Sequence, residues 1–159
     1  MAKTSIRQLS KGGVTTPKGF VAGATSCGIK PGTEAGARDD LSMIHSKDPC
    51  VAAGTFTKNR VKAAPVKLSQ THLQRGNPQL IVANSGNANC ATGERGASDA
   101  HTVALKAGEA LGLQTNAVLV CSTGIIGVPL PMDRILPSLP DLASKLTRSG
   151  GGDVATAIM

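Results

Sequence analysis

Short runs of apolar and small residues alternate with polar, glycine-containing stretches along this chain. Alternating small and apolar residues at 21–30 predict a first strand. The runs LSMIHS (Leu41–Ser46) and CVAAGTFT (50–57) predict two short strands, joined as a hairpin through KDP. Apolar runs at 78–86 and 116–122 predict two further strands, each buried and each followed by a polar loop.

Apolar residues at helical spacing are clearest at 96–112. The residues that recur with this spacing are Ala100, Val103, Ala104, Ala107 and Leu111. Ser98 can cap the start of this helix and Gly112 its end. A second helix is predicted over 64–76, with a proline in its first turn and a glycine at its C-cap.

The last part of the chain combines helical patterning with prolines. Three prolines within 130–147 predict short helical turns instead of one continuous helix. An alanine-rich pattern resumes at 151–159. Because strands alternate with helices throughout, we expect a single α/β domain over residues 1–159.

Composition indicates a globular domain with an unusual core. The 159 residues are 40% hydrophobic and 17% charged, which argues against disorder. Phe20 and Phe56 are the only aromatic residues, so the core must be built from Ala, Val, Ile and Leu. Small side chains bury little area each, and we expect a partner chain to complete this core.

Charge and cysteine usage narrow the functional classes. The formal net charge is +7, but the basic residues are scattered and aromatic rings for base stacking are nearly absent, so we do not expect nucleic-acid binding. Cys27, Cys50, Cys90 and Cys121 form no CxxC pair, which predicts buried free thiols and not a metal site. No apolar run could span a membrane, and the basic stretch 1–13 is too short to indicate a transit peptide, so we expect a cytoplasmic protein.

Two polar loops follow the buried strands. The first, ANSGNANCATGERG (83–96), places Asn84, Asn87 and Asn89 close together. These asparagines either form a plain turn, since Asn tolerates left-handed backbone angles, or line a pocket that binds substrate. The spacing matches neither the GxGxxG dinucleotide motif nor the GxxxxGK[ST] phosphate loop.

The second loop contains STGIIG (122–127). Gly124 lets its backbone N–H approach a ligand closely, and Thr123 adds a hydroxyl donor. Two adjacent donors at a strand end are the parts of an oxyanion hole, although many strands end in Ser-Thr-Gly without this role.

No complete catalytic constellation is visible. His45, His72 and His101 do not form a triad with any nucleophile, and Asp39 and Asp40 have the pattern of charges in a loop.

Five motifs in order resemble the N-terminal part of one enzyme family. They are GGVTTPKGF, FTKNRVKAAPV, NSGNANCATGERG, CSTGIIGVPLPMDRI and ATAIM. Together they are similar to the bifunctional glutamate N-acetyltransferases, also called ornithine acetyltransferases, from about residue 12 to 159. The resemblance implies an α-β-β-α sandwich of the self-cleaving ornithine acetyltransferase and aminopeptidase type, completed by a β chain, with an α2β2 heterotetramer as the expected assembly.

The resemblance also implies a chemistry. Family members transfer acetyl from N2-acetylornithine to glutamate in arginine biosynthesis, and some also use acetyl-CoA as acetyl donor. The nucleophile is the threonine freed at the start of the β chain by self-cleavage, which forms an acetyl-threonine intermediate. The implied oxyanion hole is Thr123 and Gly124. No metal or redox cofactor is implied.

The motif ATAIM precedes the family's further substrate-binding segment and its cleavage point, neither of which is present in these 159 residues. The chain is therefore expected to be a shortened α chain, a proteolytic product or a piece of a longer chain, and to be inactive without the β chain. Two rival functions stay open. One is a self-cleaving aminopeptidase or hydrolase of the same fold, in which water accepts the acyl group. The other is a non-enzymatic basic module, whose binding to nucleic acid would be sensitive to salt.

Overall fold

A four-stranded mixed sheet forms the centre of the molecule. The computed structural model describes residues 8–9 and 12–159, so most of the basic N-terminal stretch lies outside it. The strands are β1 (Phe20–Thr25), β2 (Leu41–Ser46), β3 (Leu80–Asn87) and β4 (Val118–Ile125), in the order β1-β2-β3-β4. The first three strands run antiparallel, whereas β3 and β4 are parallel. A parallel pair needs a crossover connection, and a long helix provides it here.

Among residues 12–159, four helices flank the sheet: α1 (Ala64–Arg75), α2 (Gly93–Ala110), α3 (Met132–Ser144) and α4 (Gly151–Ala157). A short 3-10 turn (Thr115–Ala117) leads into β4. Within the described part of the chain, no helix is both long and apolar enough to cross a membrane.

The main core lies on one face of the sheet, which we call the inner face. Because strand side chains alternate, every second residue of β2, β3 and β4 points to this face. Leu41, Met43, Leu80, Val82, Val118 and Val120 are buried there against α2 and α3. Burying a side chain of this size contributes about 1.5–3 kcal/mol, so aliphatic residues alone build a cohesive core.

The opposite, outer face of the sheet is only half covered in this chain. At β1 and β2, α4 packs on it and leaves Ala22 and Ser42 buried. The outer-face residues of β3 and β4 are less protected: Ile81 and Leu119 are half-buried, and Ile125 is exposed. The core of this chain is therefore asymmetric.

Several elements differ from the sequence-based predictions. Residues 50–57 form no strand and are largely exposed. The predicted hairpin cannot form because β2 already pairs with β1 on one edge and β3 on the other. Strand β2 therefore pairs on this edge with β3, which lies far from it in the chain.

Residues 132–144 form one helix despite Pro137 and Pro140, where short turns were predicted. Both prolines are exposed, while Ile135, Leu139 and Leu142 are buried on the opposite side. Burial of this apolar stripe offsets the two backbone hydrogen bonds that the prolines remove.

Strand and helix ends also shift. The helix predicted from Ser98 begins at Gly93, so Ser98 lies inside α2. Gly112 follows α2 with a positive φ of 67°, as its predicted role at the helix end requires. Strand β4 continues to Ile125, so the predicted donor pair lies within the strand and not beyond it.

Candidate active site

An open depression of about 420 Å³ lies where the parallel strands β3 and β4 end. Carboxyl ends of parallel strands meet at one edge of a sheet, which brings Ser85 and Gly86 beside Thr123 and Gly124. The remaining wall is formed by Lys30, Pro31, Ile125, Ile158 and Met159. The structure thus brings the predicted donor pair to an accessible surface.

Two glycines face each other at the floor of this depression. Gly86 and Gly124 are register partners, and their φ angles of 99° and 136° are unfavourable for any residue with a side chain. A Cβ atom on Gly124 would collide with the backbone of Gly86. A Cβ atom on Gly86 would lie 2.6 Å from Lys30 Cα. Close backbone approach therefore requires glycine at both positions.

The backbone of β4 turns toward β3 at odd-numbered residues. Ala117 O, just before the strand, accepts from Gln79 N, and Ile125 O accepts from Ala88 N. Even-numbered residues of the strand consequently direct their backbone groups to the free edge. By this alternation the N–H of Gly124 points away from β3.

Helix α1 covers part of this free edge with side chains. Ser69 Oγ donates to Val120 O at 2.8 Å and accepts from Val120 N at 2.9 Å. His72 Nδ1 lies 2.7 Å from Val118 O. Because α1 begins at Ala64, its cover does not extend to Gly124. The free edge of β4 is therefore hydrogen-bonded to α1 along its first half and uncovered at Thr123 and Gly124.

Thr123 supplies the second donor. It lies opposite Ser85, on the outer face of the sheet, and is exposed. Within residues 12–159 its hydroxyl makes no hydrogen bond, so it is available to a ligand. An exposed hydroxyl next to an outward N–H can stabilise an oxygen that gains negative charge.

The predicted pocket asparagines are used inside the protein. Asn84 Nδ2 donates to Asn87 O at 2.8 Å, and Asn87 Nδ2 donates to Val128 O and Pro129 O at 3.0 and 3.1 Å. Asn84 and Asn87 belong to β3, which runs one residue past the predicted strand 78–86 into the predicted loop 83–96. Asn87 also lines a second, adjacent depression of about 660 Å³, which Lys30 shares.

Asn89 is wholly buried, so it does not line an open pocket in this chain. Its amide donates to Gly96 O at 2.8 Å and accepts from Thr92 Oγ1 at 2.8 Å. Its φ of 44° is in the left-handed region, as expected for an Asn turn. These contacts tie the end of β3 to the start of α2.

Sequence patterning misplaced Asp40. Instead of a loop charge, it is wholly buried. Its carboxylate accepts from Cys27 N at 2.8 Å and Ile29 N at 2.5 Å, and the Cys27 thiol donates to it at 3.3 Å. Burial, together with the Asp40 charge and hydrogen bond, raises the pKa of Cys27 to about 12. Cys27 is thus a neutral thiol donor in the folded protein.

The cysteine prediction was right for Cys27 and wrong for Cys121. Cys121 is exposed because it lies on the outer face of β4, which α4 does not reach. All four cysteines are free.

A larger depression, of about 650 Å³, lies between α1 and the start of α2 and holds Arg60, Lys62 and Lys67. Neither Thr123 nor Gly124 lines this depression, so the volume of a depression does not by itself identify the candidate site. Lys30 and Ser85, which line the first depression, were not predicted from the sequence. Lys30 lies just before a loop and Ser85 at a strand end, and these positions were their only sequence signals for a role in the site.

The chain is similar to proteins of one family. Residues 21–159 match the ArgJ family model. The chain is 50% identical to the "Arginine biosynthesis bifunctional protein ArgJ" of Symbiobacterium thermophilum, over 93% of this chain and 36% of that protein. It is 45% identical to the protein of the same name from Caldanaerobacter subterraneus, over 96% of this chain and 36% of that protein. The chain therefore spans about a third of the length of these curated relatives.

Two solved structures are closely similar. Ornithine acetyltransferase from Mycobacterium tuberculosis, complexed with ornithine, matches with a TM-score of 0.87 and 39% identity, over 92% of this chain and 78% of that one. The arginine biosynthesis bifunctional protein ArgJ from Bacillus halodurans matches with a TM-score of 0.84 and 36% identity, over 94% and 76%. These matches confirm the predicted α/β fold class, and with the family match they show that this chain belongs to the ArgJ family.

Proposed function

We propose that this chain is the α portion of an acetyltransferase that moves acetyl from N2-acetylornithine to glutamate in arginine biosynthesis. In this proposal Thr123 and Gly124 form the oxyanion hole. The observation that carries it is the exposed donor pair at the open edge of β4, in a chain of the ArgJ family. The similar Mycobacterium structure, named an ornithine acetyltransferase and complexed with ornithine, supports the substrate class.

The reaction is a two-step acyl transfer. The hydroxyl of a threonine on the β chain attacks the acetyl carbonyl of N2-acetylornithine, and the carbonyl oxygen becomes negatively charged. Collapse of this intermediate breaks the C–N bond, releases ornithine with a proton on its amine and leaves acetyl-threonine. The amine of glutamate then attacks the ester and regenerates the threonine hydroxyl. Thr123 Oγ and Gly124 N–H donate to the oxyanion in both steps.

The partner in this proposal is the β chain of the same precursor, in an α2β2 assembly. Its sheet would cover the outer face of β3 and β4, where Ile125 is exposed and Leu119 half-buried. A second β layer there would complete the α-β-β-α sandwich. The proposed transfer needs no metal or redox cofactor. Use of acetyl-CoA as a second acetyl donor, which the family resemblance allows, is not part of this proposal. Four free cysteines favour a reducing, cytoplasmic location.

Thr123→Ala in the full-length enzyme tests the proposal. Loss of one oxyanion donor typically raises the barrier by about 2.7–4 kcal/mol, so we expect kcat to fall roughly 10²- to 10³-fold. Assembly with the β chain should be unchanged, because the Thr123 hydroxyl makes no hydrogen bond within residues 12–159 and the side chain is exposed. Steady-state kinetics with N2-acetylornithine and glutamate measures the effect, and wild-type turnover would remove Thr123 from the mechanism.

Omitting glutamate distinguishes transfer from hydrolysis. The proposed enzyme releases ornithine at a steady rate only when glutamate is present to accept the acetyl group. Steady ornithine release without glutamate would instead identify a hydrolase of the same fold.

A further inference from the structure

We propose that Lys30 is a positioning residue for the oxyanion hole, and that it acts with Ser85 by holding the last carbonyl of α4 beside Thr123 and Gly124. This inference rests on the proposed function and adds two residues to it.

The backbone of Lys30 is in direct contact with the floor of the depression. Gly86 packs so closely against it that a Cβ on Gly86 would lie 2.6 Å from Lys30 Cα and 2.7 Å from Lys30 N. Gly86 in turn packs against its register partner Gly124. If Lys30 moved, Gly86 would move with it and would shift the N–H of Gly124.

The side chain of Lys30 ties down two separate segments. Its Nζ donates to Asp39 O at 3.0 Å and to Ala157 O at 3.3 Å. Ala157 is the last residue of α4. Lys30 thus links the loop before β2 to the end of α4.

Ser85 donates to the same acceptor. Its Oγ lies 2.5 Å from Ala157 O, and Ser85 is the register partner of Thr123. The Ser85 N–H donates to Asp40 O at 2.9 Å, which anchors this residue from the other side. One carbonyl therefore receives hydrogen bonds from both Lys30 and Ser85, at the strand position next to the proposed hydroxyl donor.

Among the residues that the structure describes, the ammonium group of Lys30 forms no ion pair with a carboxylate. The ion pairs within residues 12–159 join Arg95 to Asp99, Lys106 to Glu109 and Lys145 to Asp141. Lys30 is half-buried, and within residues 12–159 its Nζ donates only to carbonyl oxygens, while its backbone N–H donates to Asp40 Oδ2 at 3.4 Å. The ammonium group therefore serves to hold the two carbonyls in place.

The two residues after Ala157 show why this contact matters for substrate. Ile158 and Met159 line the same depression as Thr123 and Gly124. If Ala157 O is released, this wall is free to move relative to the donors. Misplacement by about 1 Å can cost roughly 100-fold in rate, because the reacting atoms lose their alignment.

The test uses Lys30→Met, Lys30→Arg and Ser85→Ala in the full-length enzyme, with Thr123→Ala measured in parallel. We expect Lys30→Met to lower kcat roughly 10- to 100-fold, with KM for N2-acetylornithine changed by less than about threefold. Lys30→Arg keeps charge and donors and should restore most of kcat. Ser85→Ala should lower kcat by a smaller factor. Lys106→Met, which removes an exposed lysine of α2 that does not line the depression, is the matched control and should leave kcat unchanged.

The outcomes separate this inference from the proposed function. Wild-type kcat in Lys30→Met, with the expected loss in Thr123→Ala, overturns the role of Lys30 alone. Wild-type kcat in Thr123→Ala overturns the proposed function. An equal loss in Lys30→Arg and Lys30→Met would contradict positioning by a charged donor. If Lys30→Met does not fold, Ser85→Ala tests the shared carbonyl, and wild-type kcat in that folded variant overturns the inference.

Discussion

Single residues in this protein acquire their roles from partners distant in sequence. Asp40 and Cys27 show this most clearly, because a carboxylate that reads as a loop charge is enclosed by backbone N–H groups and a thiol. The resulting loop holds Lys30 against Gly86, so the buried carboxylate supports the floor of the candidate site. The asparagines act in the same way: their amides bind backbone carbonyls and fix the end of β3.

The raised pKa of Cys27 leads to a prediction at this scale. A pKa of about 12 means that the neutral thiol persists in the folded protein well above the usual pKa of cysteine, about 8.5. We expect iodoacetamide to leave Cys27 unmodified in the native enzyme between pH 8 and about 10, and to modify it in urea. Peptide mass spectrometry measures the modified fraction. Alkylation of native Cys27 with an apparent pKa near 9 would contradict the buried thiol–carboxylate pair.

At the scale of elements, the relation of α1 to β4 decides where the sheet is open. Ser69 and His72 bond to the backbone of β4 along its free edge, in the place of a neighbouring strand. An unpaired strand edge invites further strand pairing, and side chains from a helix prevent this. Since α1 stops short of Gly124, its start determines which backbone N–H is left for a ligand.

Ser69→Ala tests this edge contact. It leaves the N–H and C=O of Val120 buried without a partner, at a cost of about 1–3 kcal/mol. We expect local hydrogen exchange at the Val120 amide of the full-length enzyme to become roughly 5- to 150-fold faster. Thr71→Ala is the matched control, because that hydroxyl bonds only to Lys67 O within α1. Unchanged protection of Val120 in Ser69→Ala would show that water or another group replaces the serine.

At the scale of the whole molecule, the uneven cover of the sheet is the main feature. The inner face is sealed by α2 and α3, but α4 reaches only half of the outer face. The absence of Trp and Tyr from the sequence agrees with this, since the domain does not close its own outer layer with large side chains. A partner sheet on the uncovered half would bury Leu119 and place its own groups near Thr123.

Leu119→Asp tests the proposed assembly. A buried carboxylate in the interface would be unpaired and strongly destabilising, so we expect the β chain to separate from the variant α chain. Size-exclusion chromatography with mass detection reports the assembly. Gln74→Asp, which adds the same charge on the exposed side of α1, should assemble normally. Normal assembly of Leu119→Asp would show that this half of the sheet is not the interface.

The sequence by itself determined the types of most elements and the family, and it predicted the donor pair on which the proposed function rests. Helical and strand periodicity depend on neighbours two to four residues apart, and the five motifs are contiguous, so both can be read without the fold. It also located α1, α2, β3 and β4 to within a few residues, apart from the earlier start of α2.

Only the tertiary structure decided which edges were available and what surrounded each polar group. The predicted hairpin between 41–46 and 50–57 does not form because β3 occupies that edge of β2. Helix α3 is continuous because the core buries its apolar stripe. The Asp40 enclosure and the contact of Lys30 and Ser85 with Ala157 join residues up to 127 positions apart. Such contacts cannot be predicted from the local sequence pattern, because they form only when separate elements pack together.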